Sequence, residues 1–304
     1  LAQRPQQIEK RASVVPTVLT IDVAKAKPLP HIWQHLAQGG EVPIPQLPSV
    51  IKEVSALSPR YIRIDHIFDA YQVVERGSDG KLLFDFTLLD KEVDAIVKMG
   101  ATPFFSLSYI PSSVADPQNS DRPLYTLWEE LVRELVSHYS GRQDKNLTYV
   151  FYEVYTEPDL FGKWSVSVYI QLYEASLRGA ESASNTHTFF FGGPAVSFFN
   201  SAFIHTFLTT LQERKRRLDF VSWHVYDPSP SKIANDAQAL SLLMRDTPSY
   251  AKALKIVSEW GPFPEKNIWY ENIFGAAHLV ATVTRAFDAI DMLFPFEIKD
   301  GRAI

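Results

Sequence analysis

Short apolar runs alternate along this chain with longer stretches in which apolar residues recur every three or four positions. Most of the short runs are rich in β-branched and aromatic residues and lack strict apolar–polar alternation, which is typical of strands buried on both faces. Eight strands are predicted in this way, at Thr17–Val23, Tyr61–Asp65, Pro103–Ser108, Thr148–Tyr155, His187–Phe191, Phe220–His224, Leu254–Ser258 and Leu293–Ile298.

The longer stretches carry helix signals. Thr126 and Glu129 have the spacing of a capping box at a helix start, and Gly141 and Gly100 are typical of helix ends. The predicted helices are Asp90–Met99, the stretch from Thr126 to Gly141, Ser165–Ala183, Ser201–Arg217, Asn235–Arg245 and Asn272–Ile290. The basic run at 214–217 ends one of them, where it complements the helix dipole and stays solvated rather than forming a binding patch.

Eight strands with intervening helices predict a single (β/α)8 barrel. We place a polar N-terminal segment at 1–14 and the barrel at 15–304. No helix pattern follows the predicted eighth strand, so either the N-terminal segment covers that side or the sequence lacks the final helix. The alternative is a doubly wound open sheet. Such a sheet commonly has a glycine-rich, phosphate-binding turn after its first strand, and the turn after the first predicted strand, Ile21–Lys25, contains no glycine.

Composition narrows the function classes. The chain has 304 residues, 46% of them hydrophobic, which suits two ordinary domains or one barrel. A net charge of −5 gives no reason to expect a nucleic-acid partner. The absence of cysteine excludes disulfides, a thiolate zinc site and a cysteine nucleophile. No apolar run approaches the roughly 20 residues that span a bilayer, and no signal peptide is visible.

Two glutamates follow predicted strands. Glu157 comes after the fourth strand and precedes Pro158, and Glu259 comes after the seventh and precedes Gly261 and Pro262. Because catalytic groups of a barrel sit at the C-terminal ends of its strands, both carboxylates are expected at one mouth. Such a pair can serve as acid and nucleophile in glycoside cleavage. The alternative is that both are structural ion-pair partners of Arg or Lys outside the cleft.

The other predicted strand ends are rich in polar and aromatic groups: Arg63, Asp65 and His66 after the second, Ser108 and Tyr109 after the third, Thr156 after the fourth, His224 and Tyr226 after the sixth, and Trp260 after the seventh. Structural strand ends more often carry Asp, Asn, Ser or Gly. Asp65 and His66 are metal-ligand types, but no third ligand converges with them. We therefore expect no metal and no organic cofactor.

Five segments then combine in a specific order: Tyr61–Asp69, Phe84–Thr87 with Gly100–Phe104, Glu153–Leu160, Asp219–Tyr226 and Ile256–Trp260. With this order and spacing, the stretch from about Tyr61 to Gly301 resembles a retaining glycoside hydrolase of clan A. It is most similar to family 39, which includes β-xylosidases and α-L-iduronidases. The resemblance implies that Glu157 is the general acid/base and Glu259 the nucleophile.

The same resemblance suggests roles for the neighbouring side chains. His224 would line the subsite of the cleaved sugar, Tyr226 would hydrogen-bond the nucleophile, and Arg63 would hold one of the two glutamates. For each of them a structural role stays open: a satisfied buried histidine, a tyrosine packed at the rim and a buried salt bridge. Retention requires the two carboxyls to lie about 5 Å apart.

The chain departs from the family pattern at two positions. Thr156 stands where the family has an asparagine that bonds the sugar 2-hydroxyl, and Phe296 aligns with a tryptophan at the end of the eighth strand. The β-sandwich that commonly accompanies these barrels is also absent from the sequence. Trp164, Trp260 and Trp269 are candidate sugar platforms, with core packing as the alternative for each.

The sequence thus predicts a hydrolase that cleaves a β-type bond in an oligo- or polysaccharide with retention. One alternative is a carbohydrate-binding barrel with weak or no turnover, which Thr156 and Phe296 favour. Another is an endo-acting hydrolase of an exopolysaccharide. The substrate class and the polar leading segment, which has no initiating Met, suggest a secreted or cell-surface protein, with the cytoplasm as the alternative.

Overall fold

The computed structural model of the protein describes residues 20, 22, 24, 29–39, 44–265 and 267–299. The chain separates into two units, Leu1–Pro30 and His31–Ile304, and every element described below belongs to the second. The predicted boundary between residues 14 and 15 lies outside the described residues. No helix in the described part of the chain has the length and apolar character needed to cross a membrane.

Eight parallel strands form one sheet whose order follows the chain. They are β1 (His35–Gln38), β2 (Tyr61–Ile64), β3 (Thr102–Ser106), β4 (Val150–Glu153), β5 (Phe189–Val196), β6 (Phe220–Tyr226), β7 (Leu254–Gly261) and β8 (Met292–Pro295). The last strand returns to the first, because Phe296 bridges Ala37 and the Ile298 N–H donates to the Ala37 carbonyl at 3.0 Å. The predicted (β/α)8 barrel is confirmed.

A helix lies between each pair of consecutive strands. These are α1 (Ile51–Ser55), α2 (Thr87–Lys98), α3 (Tyr125–Ser140), α4 (Val166–Ser182), α5 (Ser201–Glu213), α6 (Lys232–Asp246) and α7 (Ile273–Ala286). Among the described residues, which reach 299, no helix follows β8. Two hairpins, Val74–Arg76 with Leu82–Phe84 and Ala115–Asp116 with Asn119–Pro123, extend the loops after β2 and β3.

The first barrel strand is not the one predicted. Thr17–Val23 lies mostly outside the described residues, and its described members, Thr20 and Asp22, are in no strand. The barrel begins instead with His35–Gln38, which has a polar residue at each end and no β-branched residue. This segment is extended because it pairs with Tyr61–Ile64 of β2, so its structure depends on a partner that a local pattern does not reveal.

The predicted capping box of α3 is also wrong. The N-cap position is Leu124, no side chain caps the helix, and Thr126 lies within its first turn. The Leu124 N–H donates to the Val114 carbonyl at 2.8 Å, so the preceding hairpin determines where the helix starts. The helix ends are as predicted: Gly141 is the C-cap of α3, and Gly100 follows α2 with a φ of +83°.

Apolar side chains fill the barrel interior near the N-terminal ends of its strands. The interior cluster consists of Ala37, Phe104, Phe151, Phe220, Ile256, Met292 and Phe294. Farther along the same strands the inward residues become polar: Glu153 follows Phe151 by two positions on β4, and His224 follows Phe220 by four on β6. Because alternate residues of a strand share a face, these polar groups stand above the aromatic layer, at the C-terminal mouth.

Candidate functional site

A bulge in β7 turns Glu259 into the barrel mouth. Trp223 pairs with Val257 and His224 with Glu259, so Ser258 is an extra residue with no partner in the register. Ile256 faces the interior, and without the bulge Ser258 rather than Glu259 would share its face. Bulges commonly redirect a side chain next to a functional site, and here the bulge places a carboxylate opposite His224.

A second irregularity, in β5, holds the loop of Glu157. Ser222 pairs with Pro194 and Trp223 with Val196, which leaves Ala195 out of register with a φ of +51°. The carbonyl of Ala195 accepts the Glu157 N–H at 2.8 Å. Glu157 itself has a φ of +47°, a left-handed conformation that L-residues adopt at some cost when the surroundings impose it. The backbone of the candidate acid/base is therefore fixed by the neighbouring strand.

Arg63 connects the site to the barrel wall. Its guanidinium is fully buried and donates from Nε to Glu153 Oε2 at 2.8 Å, from Nη1 to Glu259 Oε2 at 3.3 Å and from Nη2 to Thr156 Oγ1 at 3.1 Å. Asp65 lies 3.6 Å away as a further ion-pair partner. Burial lowers the pKa of Arg63, but these carboxylates raise it above its usual range, so the residue is a permanent cation.

Glu259 receives a second hydrogen bond, because the Tyr226 hydroxyl donates to its Oε1 at 2.6 Å. Burial raises the pKa of this carboxyl most; His224 and Arg63 lower it, and the charges of Asp65 and Glu157 raise it further. The net effect is a pKa above the ordinary glutamate value. The pKa of Tyr226 is raised as well, by burial and by Glu259, so its hydroxyl keeps the proton that it donates.

His224 links the two candidate catalytic residues. Its ring is fully buried, and its Nδ1 lies 2.8 Å from Glu157 Oε1 and 3.7 Å from Glu259 Oε2. Burial lowers the pKa of His224, but Glu259 and the hydrogen bond to Glu157 outweigh that effect and raise it above the ordinary value. Its Nε2 has no hydrogen-bond partner among the described residues. The ring therefore interacts with the two carboxylates and is shielded from solvent.

One oxygen of Glu157, one of Glu259 and a ring nitrogen of His224 lie within 4.8 Å of one another, the one such group of metal-ligand types in the part of the chain described here. Each member already has a hydrogen-bond partner, and the Arg63 cation borders the group. A divalent cation at this point would be repelled by the buried guanidinium. The arrangement instead suits proton transfer and charge stabilisation.

Two further predicted residues, His66 and Tyr109, follow the neighbouring strands β2 and β3. His66 Nδ1 lies 2.9 Å from Asp69 Oδ2, and its ring packs against Tyr109 with centroids 4.6 Å apart. Tyr109 also packs edge-on against Tyr155 at 5.3 Å. Burial raises the pKa of Tyr109 most, and the charges of Asp65, Glu157 and Glu259 add to it.

The predicted aromatic platforms are mostly not presented to the site. Trp164 is buried and stacks on Tyr155 at 4.5 Å. Trp260 is buried on the helix side of the barrel, where it lines an apolar cavity of about 290 Å³ with residues of β1, β8 and α7. Because Glu259 points inward, its neighbour Trp260 points outward.

Phe296 and Trp269 differ from these two tryptophans. Phe296 is half-buried after β8 and packs against the interior cluster. Its ring lies so close to Gly39 that a residue with a Cβ at that position would clash with it. Trp269 is exposed on the loop after β7 and packs against Phe274 at 5.5 Å. Of the four aromatic candidates, Phe296 is the one that borders the barrel interior.

Sequence reasoning missed two residues that support the site. Glu153 ends β4 inside the barrel and is the closest partner of Arg63. Asp159 accepts hydrogen bonds from the Ser197 N–H and hydroxyl, both at 2.9 Å, and so joins the loops after β4 and β5. A signal for Glu153 was present, because a glutamate in an otherwise apolar strand needs a buried partner. No local pattern indicated the partner of Asp159.

We expect Arg63→Met to lower the free energy of unfolding by about 3 to 5 kcal/mol, because it leaves the buried Glu153 carboxylate uncompensated. Chemical denaturation monitored by circular dichroism measures this loss. Arg142→Met, at an exposed arginine, is the control and should change stability by about 0.5 kcal/mol or less. Adding Glu153→Leu to Arg63→Met should recover part of the loss. An unchanged midpoint for Arg63→Met contradicts the role given to this pair.

Comparison with known proteins relates the chain to a family. Residues 46–292 match the family model described as glycosyl hydrolases family 39. The chain is 25% identical over 277 residues to a β-xylosidase of Geobacillus stearothermophilus, covering 79% of this chain and 54% of that protein. It is 28% identical over 249 residues to a β-xylosidase of Caldicellulosiruptor saccharolyticus, covering 74% and 50%. The chain thus spans about half the length of these curated relatives.

Solved structures share the fold. A monomeric β-xylosidase from Caulobacter crescentus superposes with a TM-score of 0.74 at 22% identity, covering 90% of this chain and 61% of that one. A bacterial orthologue of human α-L-iduronidase superposes with a TM-score of 0.70 at 16% identity, covering 91% and 50%. At these identities the superpositions show the common barrel alone. The match of the family model over most of the sequence goes further, and by it the chain belongs to the glycosyl hydrolases of family 39.

Proposed function

We propose that this barrel is a retaining glycoside hydrolase in which Glu259 is the nucleophile and Glu157 the general acid/base. The observation that carries the proposal is the pair of buried carboxylates whose nearest oxygens lie within 4.8 Å at the barrel mouth. Retaining glycosidases hold their two carboxyls about 5 to 5.5 Å apart, whereas inverting enzymes leave about 6.5 to 9.5 Å for a water molecule. The short separation supports double displacement.

Glu259 is suited to attack because its ionised form is stabilised by two donors. Tyr226 donates to Oε1 and the permanent cation Arg63 donates to Oε2. The raised pKa of Glu259 opposes this role before a substrate binds, since burial and like charges favour the protonated form. When a substrate reacts, however, positive charge develops at the anomeric carbon beside the carboxylate. The two hydrogen bonds, and the attraction that grows in the transition state, therefore stabilise the ionised nucleophile during the reaction.

Glu157 has the neighbours that an acid/base needs. In the first step its proton passes to the glycosidic oxygen as the C1–O bond breaks and Glu259 forms the ester to C1. In the second step the same carboxylate takes a proton from water, whose oxygen displaces Glu259. His224 Nδ1, at 2.8 Å, offers a hydrogen bond to Glu157 in either protonation state. The histidine thus holds the side chain in place through both steps.

The names of the similar proteins suggest β-xylosides as the first substrates to test, with oligo- or polysaccharides as the natural class. Thr156 bears on this choice. Its hydroxyl accepts from Arg63, so it keeps one proton to donate but has no amide group. A carbohydrate-binding barrel without turnover is the second candidate function, and Thr156 is the observation that favours it.

A panel of aryl glycosides that includes the β-D-xyloside distinguishes a retaining hydrolase from a carbohydrate-binding barrel without turnover. We expect turnover of at least one β-glycoside, with a product that first appears as the β-anomer in proton NMR spectra. A 2-deoxy-2-fluoro glycoside of the same sugar should label Glu259, identified by peptide mass spectrometry. A product first formed as the α-anomer overturns the double-displacement mechanism. Binding without turnover of any member favours the second candidate.

A further inference from the structure

Three large apolar side chains are exposed on the loops that follow β4 and β5. Leu160 is 50% exposed, Phe161 62% and Phe198 57%. We call these three residues the apolar rim. Single exposed apolar side chains are common, but several on adjoining loops at the mouth of a barrel are typical of a surface that binds something.

Hydrogen bonds hold the apolar rim beside Glu157. The N–H groups of Leu160 and Phe161 both donate to the Glu157 carbonyl at 3.0 Å, so these residues complete a turn that starts at the acid/base. Phe198 follows Ser197, whose N–H and hydroxyl both donate to the Asp159 carboxylate at 2.9 Å. The loop of Phe198 is thus fastened to the loop of Glu157.

Tyr109 connects the apolar rim to the other aromatic side chains at the barrel mouth. The Phe161 ring packs edge-on against Tyr109 with centroids 5.7 Å apart. Tyr109 in turn packs against Tyr155, two residues before Glu157, and against His66 at the end of β2. Aromatic contacts therefore connect the exposed Phe161 to the half-buried Tyr109, and through it to Tyr155 and His66.

The reaction determines what lies against this surface. Glu157 gives its proton to the oxygen of the leaving group, so the aglycone must extend over the loop of Glu157, whereas the sugar that forms the ester lies beside Glu259. The stretches 158–161 and 197–199 contain one charged residue, Asp159, and both of its carboxylate oxygens accept from Ser197. An aglycone in this position meets hydrocarbon and aromatic faces rather than charges.

We propose that the apolar rim is an aglycone subsite that selects alkyl or aryl leaving groups. The inference rests on the proposed function and adds to it the chemical class of the leaving alcohol. The bond that breaks joins C1 to the aglycone oxygen; this oxygen takes the Glu157 proton and departs as the free alcohol, and water later releases the sugar from Glu259. The subsite acts by burying the apolar part of the aglycone before this step.

A series of n-alkyl glycosides tests the subsite. Methyl, butyl, hexyl and octyl β-D-xylosides, or the same chains on the sugar that the aryl panel selects, have nearly equal leaving-group acidity and differ in apolar length. We expect kcat/KM to rise roughly two- to fourfold per CH₂ until the chain outgrows the surface. In Phe161→Ala and Phe198→Ala the rise in kcat/KM per CH₂ should be much smaller than in the wild type.

Tyr149→Ala is the matched control. Tyr149 is 54% exposed, but it precedes β4 and lies at the opposite end of the barrel, so this variant should keep the full dependence on chain length. A wild-type enzyme that hydrolyses all four alkyl glycosides equally overturns the aglycone subsite and leaves the proposed function intact. So does a chain-length dependence that persists in the Phe161→Ala/Phe198→Ala double variant. Absence of turnover across the whole aryl panel overturns the proposed function and this inference together.

Discussion

Glu259→Gln is expected to reduce kcat/KM by roughly three to five orders of magnitude on every glycoside that the wild type cleaves. The amide keeps the shape of the side chain but is a poor nucleophile, and its neutral charge no longer stabilises positive charge at the anomeric carbon. Because the ester cannot form, no activated leaving group should restore the rate. Steady-state kinetics on an aryl and an alkyl glycoside measure the loss.

Chemical rescue separates the nucleophile from a bystander. In Glu259→Ala the cavity left by the carboxylate admits azide, which should attack the face that Glu259 attacks and give the α-glycosyl azide from a β-glycoside. Glu92→Gln is the control, since Glu92 is also fully buried and its pKa is raised to about 7 by burial, but it accepts from the Leu47 N–H in the helix layer. That variant should keep wild-type activity. Substantial activity of Glu259→Gln contradicts the assignment.

The barrel was predictable because strands buried on both faces have a composition that does not depend on their neighbours. Seven of the eight strands carry such apolar runs, and their order alone indicates parallel pairing with helices between. The strand His35–Gln38 does not, because its conformation comes from pairing with β2 and from closure against Phe296. A short segment whose structure is imposed by partners distant in sequence has no local signature.

The position of Glu157 and Glu259 at strand ends was predictable, but the backbone irregularities that orient the two side chains were not. Nothing in the run Val257-Ser258-Glu259 shows that Ser258 leaves the register, although this bulge decides which side chain faces the mouth. The register shift at Ala195, which fixes the backbone of Glu157, likewise has no signal in the sequence. Bulges arise from the register between strands, which a single strand does not encode.

Whether a tryptophan side chain reaches the site was harder to predict from the sequence than whether a carboxylate does. A buried glutamate needs a polar partner or a functional role, whereas a tryptophan is as suited to the core as to a sugar platform. Trp164 stacks on Tyr155 inside the fold and Trp260 points to the helix layer. Two exposed aromatic residues of the apolar rim, Phe161 and Phe198, lie in loops whose sequences have no periodic pattern.

Glu157→Ala is expected to divide the substrates by their leaving groups. A dinitrophenyl glycoside needs no proton for departure, so its ester should form at a rate close to the wild type, and hydrolysis of the ester should become limiting. An alkyl glycoside leaves as a strongly basic alkoxide without Glu157, so its kcat/KM should fall by about 10²- to 10⁴-fold. Steady-state and burst kinetics on the two substrates measure the difference within one protein, which removes any effect of folding.

Azide distinguishes this variant from the one at Glu259. In Glu157→Ala the ester to Glu259 still forms, and azide should replace water as the second nucleophile without a general base, giving the β-glycosyl azide. The two variants therefore predict azides of opposite configuration from the same glycoside. If Glu157→Ala slowed the dinitrophenyl and alkyl glycosides to the same degree, the side chain would not be the proton donor. The hydrogen bond to His224 would then serve only to hold the site together.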